Sequence, residues 1–139
     1  MSASRTEQFS KALRVGLTGE VDDVSDIFTE DVVGWSPIMS VSTRDELWKA
    51  FGEREDALSD IVLNIDSIDV IGDKAIAEWR FSATHSGPLT LGQETTIEPT
   101  GKKIVLAGAT FAEFRDDRIR IFRSYFDDAA LLEQMLAPA

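Results

Sequence analysis

The sequence predicts a single α+β domain, spanning residues 1–139, in which a curled antiparallel sheet packs on N-terminal helices. Three observations predict it. Apolar residues recur at helical spacing in the first third of the chain. From about Ile61 the period changes to two, the mark of strands with one buried face. The long alternating runs are joined by tight turns and not by helices, which argues for an antiparallel meander over βαβ units. A chain of 139 residues is long enough for one core and short of two.

The first element opens on a capping box, Ser4-Arg5-Thr6-Glu7, and continues as one helical stripe through Phe9, Ala12, Leu13 and Gly16. After Gly19 the spacing predicts a second short helix over about Glu20 to Thr29, with acids in its first turn to suit the helix dipole. Val32 to Trp35 reads as a short strand closed by Ser36-Pro37. A second capping box, Thr43-Arg44-Asp45-Glu46, opens a helix whose buried stripe is Leu47, Ala50, Phe51, Ala57 and Leu58. Ile61, Leu63 and Ile65 then alternate as a strand, and Ile68 and Val70 continue on the opposite parity. A β-bulge near Asp66-Ser67 is predicted from that switch. Gly72-Asp73 makes a turn. The next strand places Ala75, Ala77, Trp79, Phe81, Ala83 and His85 on one face. A loop through Gly87-Pro88, Gly92 and Pro99-Thr100-Gly101 leads to a long strand from about Lys102 to Arg115. Asp116-Asp117 turns it into a last strand, Arg118 to Phe126, and a short terminal helix carries Leu131, Leu132, Met135 and Leu136. Long bulged strands curl, and a curled sheet closing over helices leaves a cone with an apolar interior.

Composition narrows the function classes. Hydrophobic residues make up 43% of the chain, so it is not a disordered acidic tail. There is no cysteine, which removes disulfides, zinc–thiolate sites and thiol nucleophiles. A formal charge of −11 repels nucleic acid and anionic membrane alike. The polar N-terminus lacks a signal-peptide core and no apolar run reaches membrane-spanning length, so a cytoplasmic protein is expected. No cofactor motif appears, and a lone histidine without a clustered second ligand is a poor metal site. The expected cofactor and metal are therefore none.

Several segments carry a family resemblance. Ala83-Thr84-His85-Ser86-Gly87, Pro99-Thr100-Gly101-Lys102-Lys103, Arg118-Ile119 and Tyr125-Phe126-Asp127 with Leu131-Leu132-Glu133-Gln134 resemble the SnoaL-like polyketide cyclase and ester cyclase group. Asp31-Val32-Val33-Gly34-Trp35-Ser36-Pro37 is similar to the first strand of the same nuclear transport factor 2-like superfamily, which also holds ketosteroid isomerases and limonene epoxide hydrolases. The resemblance covers nearly the whole chain and implies the cone fold, an internal pocket for a small apolar molecule, cofactor-independent chemistry and a homodimer.

It does not carry over residue by residue. At the acid/base positions of the SnoaL-like cyclases this chain has Thr110 and Ser124. The isomerase base falls on Ser36, its helix tyrosine near Ala12 and its protonated acid near Thr110. The arginine and two aspartates of the epoxide hydrolases fall among Trp79, Phe81 and Ser124. A hydroxyl without a neighbouring base cannot take a proton from carbon near neutral pH, though it can orient a carbonyl.

Two readings of the pocket follow. In one, His85 is the acid/base of an isomerase or cyclase acting on an apolar ketone or ester, because its parity points inward and imidazole exchanges protons near neutral pH. Trp35, Ser36, Trp79, Phe81, Thr110, Phe122 and Ser124 would then bind the substrate, the aromatic rings as a wall for a flat ligand. In the other, the pocket is a non-catalytic binding site or plain core, and the outer sheet face makes a symmetric dimer. Asp127 directly precedes the last helix, where an N-cap accounts for it.

Overall fold

In the computed structural model, which describes residues 4–18, 24–91 and 95–137, three helices pack against one six-stranded sheet. The chain runs α1 (Arg5–Thr18), β1 (Phe28–Ser36), β2 (Met39–Val41), α2 (Arg44–Ala57), β3 (Leu58–Ile71), β4 (Lys74–His85), β5 (Leu89–Leu91), β6 (Thr95–Ile97), β7 (Lys103–Arg115), β8 (Arg118–Phe126) and α3 (Asp128–Leu136). The main sheet has the order β2-β1-β8-β7-β4-β3, and β5 and β6 pair as a separate small ribbon. No helix among the described residues is long and apolar enough to cross a membrane.

Local chemistry accounts for most boundaries. The Ser4 hydroxyl accepts from the Glu7 amide, and that of Thr43 from the Glu46 amide, so both capping boxes open helices. Asp127 caps α3: its side chain accepts from the Ala130 amide at 3.1 Å and its carbonyl from the Leu131 amide at 3.2 Å. The β3–β4 turn places Gly72 at φ +63°, where glycine carries no Cβ penalty. Asp66 is the extra residue between the pairs Ile65–Trp79 and Ser67–Glu78, so the bulge lies where the parity switch put it. There Arg80 makes a forked contact with the Asp66 carboxylate.

Three expectations change. The helix expected over 20–29 falls partly outside the described residues, and its described part is a single turn at Val24–Ile27 followed directly by β1. Phe28 enters the ladder opposite Ile119 and packs its ring on Phe122, edge to face at 5.3 Å. Tertiary pairing of aromatic and β-branched residues thus overrides helical spacing. Second, the sheet is mixed, because β1 runs parallel to β8. Third, the expected loop after Gly87 contains the β5–β6 ribbon.

The concave face of the sheet carries the core. Phe9, Leu13, Phe28, Val32, Leu47, Phe51, Ala77, Trp79 and Phe122 form its centre under α1 and α2. A second apolar cluster, Ala57, Leu89, Ile104, Leu131 and Met135, seats α3 against the other end of the sheet. Gln134 fastens that helix by pairing its side-chain amide with both the N–H and the C=O of Val105, beyond the point where β8 ends.

Candidate functional site

Between the two clusters the sheet and all three helices enclose a cavity. The space open to the centre of a water molecule is about 50 Å³, room for only a few waters. Strands β4 and β8 supply Trp79, Phe81, Phe122 and Phe126, and α2 supplies Phe51. Leu58, Ile104, Leu106 and Leu131 close the side towards α3, with Met39 at the start of β2. Among the described residues, the polar side chains on this wall are Ser36, Arg54 and Ser124.

The Ser124 hydroxyl belongs to a chain of bonds running through the sheet. The Trp79 indole N–H donates to the Thr110 hydroxyl at 2.9 Å, and Thr110 and Ser124 share a 2.8 Å bond. Thr110 is fully buried and faces Ala77 on β4 and Ser124 on β8. An indole can only donate, so a Thr110 oxygen that accepts from it has its own proton free for Ser124. In that arrangement Ser124 keeps a proton to present to the cavity. Ser36 accepts from the Ile38 amide at 3.2 Å and likewise retains a donor.

Arg54 is the charged group of the wall. It projects from the last turn of α2, with its guanidinium 6.0 Å from the centre of the Phe51 ring. It donates to the carbonyl of Gly16, one of the final carbonyls of α1 that lack a helical partner. A side chain at Gly16 would meet the Phe122 ring at 3.1 Å, so glycine there lets α1 lie against the cavity wall. The Arg54 residue keeps some solvent exposure. Protein around its head nevertheless lowers its pKa from 12.5 to about 10, through burial. It stays charged near neutral pH, and no carboxylate among the described residues lies within ion-pairing distance of it.

The structure brings together Ser36, Trp79, Phe81, Phe122 and Ser124 on one wall, with Thr110 directly behind it. Trp35 is a correction. It is 38% exposed on the outer sheet face, its ring 5.2 Å from that of Tyr125. Neighbouring strand residues point to opposite faces, so Trp35 and Ser36 cannot both face the cavity.

His85 is fully buried on the inward parity of β4, as its position predicts, but it is not part of the cavity wall. Its Nδ1 lies 3.0 Å from the Thr100 hydroxyl and accepts from the Thr100 amide at 3.3 Å. Its backbone N–H donates to Lys102 and its C=O accepts from Gly101. His85 therefore ties down the 99–102 loop. An accepting Nδ1 leaves the proton of a neutral ring on Nε2, which has no hydrogen-bond partner among the described residues.

Arg54 went unnoticed in the sequence. The available signal was helical spacing: Leu47, Phe51, Arg54 and Leu58 follow one another at four, three and four residues. An arginine on that stripe lies on the buried side of α2.

One family model, that of the SnoaL-like domain, matches residues 7–122. The chain belongs to the SnoaL-like domain family. No curated protein sequence matches it. Among solved structures it is similar to TsrD from Streptomyces laurentii, with 18% identity, a TM-score of 0.79 and 99% of each chain covered. A protein of Jannaschia sp. CCS1 assigned as a SnoaL-like polyketide cyclase has 16% identity and a TM-score of 0.79, covering 100% of this chain and 99% of its own. The LEH-like epoxide hydrolase of M. tuberculosis has 14% identity and a TM-score of 0.69, covering 95% and 89%. At these identities the SnoaL-like chain shares a fold with proteins of several named chemistries, and fold alone does not choose among them.

Proposed function

We propose that this SnoaL-like domain is a small-molecule pocket protein that binds a compact apolar molecule through an acceptor oxygen, without acid/base catalysis. One observation carries the reading. The described cavity wall holds two hydroxyls and a guanidinium, and neither a carboxylate nor an imidazole. Isomerisation or cyclisation of a ketone or ester needs a group that takes a proton from carbon, and serine alone does not do so near neutral pH. The donors of Ser124 and Ser36 suit a carbonyl oxygen, and the aromatic rings suit an unsaturated body. A wall with this little free space favours a small ligand, or one that displaces Met39, a flexible side chain.

The test is a thermal-shift screen of small ketones, lactones, esters and epoxides, followed by NMR of each hit for turnover. A ligand at a hundred times its Kd should stabilise by about 2.7 kcal/mol. Binding that weakens in Ser124→Ala, with the compound recovered unchanged, supports the reading. Conversion of a hit by wild type, lost in a cavity variant, overturns it in favour of an enzyme.

The outer face supports a second reading, assembly as a homodimer. Val33, Trp35, Val62, Ile76, Val105 and Tyr125 leave large apolar surfaces exposed there, across five strands of one sheet. Such a patch matches the self-complementary contact of a two-fold dimer.

A further inference from the structure

We infer that the ligand of this cavity ends in a carboxylate, which Arg54 receives. The inference rests on the pocket reading above and goes further by naming the class of molecule. Among the described residues the cavity wall has one charged side chain, that of Arg54, and it has no acidic partner. A guanidinium carries five N–H donors in a planar fork matched to the two oxygens of a carboxylate. Here the protein occupies few of them. Gly16 accepts from one terminal nitrogen, and no described residue accepts from the others.

A purely architectural role explains only part of this. An arginine at the end of α1 satisfies a terminal carbonyl and the negative end of the helix dipole. One bond meets that need. It leaves the rest of the fork unused, on a guanidinium that lines both the cavity, beside Phe51, Phe81, Leu58 and Phe122, and the groove adjoining it. Partly desolvating a cation without its counter-charge is unfavourable, and burial of its head lowers the Arg54 pKa to about 10. An entering carboxylate would supply the missing charge in a setting where ion pairs are strong.

Electrostatics also sets the shape of the ligand. Glu53 and Asp56 line the adjoining groove together with Arg54, and the whole chain carries −11, so a small free anion is repelled from outside. Affinity must come from an apolar body buried against the aromatic wall, with the carboxylate carried in at its end. Ser124 and Ser36 remain for a second oxygen along that body.

Isothermal titration of the full chain with 2-naphthoic acid and octanoic acid, each beside its primary amide, tests this. The expected result is that wild type binds at least one acid about tenfold or more tighter than the matching amide. Arg54→Met should erase that preference while still binding the amide, and Arg54→Lys should keep part of it. Because Arg54 also holds α1, circular dichroism must show each variant folded; the acid–amide comparison on wild type stands even where a variant fails. Equal binding of acid and amide by wild type overturns the carboxylate inference and leaves the pocket reading intact. Binding of neither the acids nor the amides, nor of any compound in the wider screen, overturns both.

Discussion

Trp79 and Thr110 meet across neighbouring strands through a 2.9 Å bond, indole N–H to hydroxyl, with both side chains shut off from solvent. The bond satisfies a donor that would otherwise be orphaned inside the sheet, and it sets the direction of the next bond, to Ser124. Thr110 therefore holds the cavity wall in place and orients its one relayed hydroxyl.

Replacing Thr110 with valine keeps the shape and removes the acceptor. The buried Trp79 N–H then has no partner, and the unfolding free energy should fall by about 1–3 kcal/mol. Ser124→Ala removes a group with a little exposure and leaves the Trp79–Thr110 bond intact, so it should cost less. Urea unfolding of the two variants followed by tryptophan fluorescence gives the comparison; a larger loss in Ser124→Ala would contradict the relay.

Gly108 and Gly52 make opposite predictions for the same substitution. A Cβ on Gly108 would lie 2.5 Å from the Trp79 ring and 2.6 Å from the Tyr125 carbonyl oxygen. Backbone cannot give way there, so Gly108→Ala should destabilise by about 3 kcal/mol. Gly52 sits inside α2 with open space around it. Gly52→Ala should stabilise by about 0.5–1 kcal/mol through helix propensity. Paired thermal melts decide both.

The contrast between legible and illegible parts of this chain is physical. The β4 alternation from Ala75 to His85 could be read because one face of a sheet strand is buried at strict period two. The Asp66 bulge was readable for the same reason, as a break in that period. Trp79, Phe81 and Phe122 followed from parity, Ser36 and Ser124 from the family resemblance, and Trp35 was misplaced by treating two adjacent strand residues as one wall. The turn and strand at 24–29 look helical because acids recur among apolar residues, and only the partner strand β8 decides otherwise. The Arg54 contact with Gly16 and the Trp79–Thr110–Ser124 chain depend on elements distant in sequence.

His85 offers a sharp separation of roles. Its Nδ1 accepts from Thr100, and its backbone pairs with Gly101 and Lys102. His85→Leu should remove the first contact, loosen the 99–102 loop and cost about 1–3 kcal/mol. Affinity for a cavity ligand should stay within about twofold, since the ring is not on the wall. Calorimetric titration and unfolding on the same variant read the two effects apart. A large loss of affinity in a folded variant would return His85 to the site.

Asp31 gives a pH prediction with a definite sign. Hydrogen bonds from Arg115, 2.6 Å at the closer, hold its carboxyl down from 3.8 to about 2. A folded value below the unfolded one adds stability that is present above about pH 4 and lost as pH falls towards 2. The contact reaches from β1 across β8 to β7, and Arg120 adds a second arm at 3.3 Å. Asp31→Asn should therefore lower Tm near pH 7, with the gap to wild type closing between pH 4 and 2. All three side chains are partly exposed, so the gap should be small and should narrow further in high salt.

The outer sheet face predicts an assembly. Tyr125 and Val105 stand on β8 and β7, with Trp35 and Ile76 on the strands to either side. Sedimentation of wild type should show a dimer that dissociates on dilution. A lysine at Val105 or Tyr125 brings two like charges together across a two-fold axis, so either variant should sediment as a monomer. Neither side chain touches the cavity, and ligand binding by the monomer should persist if the pocket is complete within one chain. A wild type that is monomeric at every concentration would leave the exposed apolar row to some other partner. A lysine variant that remains dimeric would place the contact on a different face.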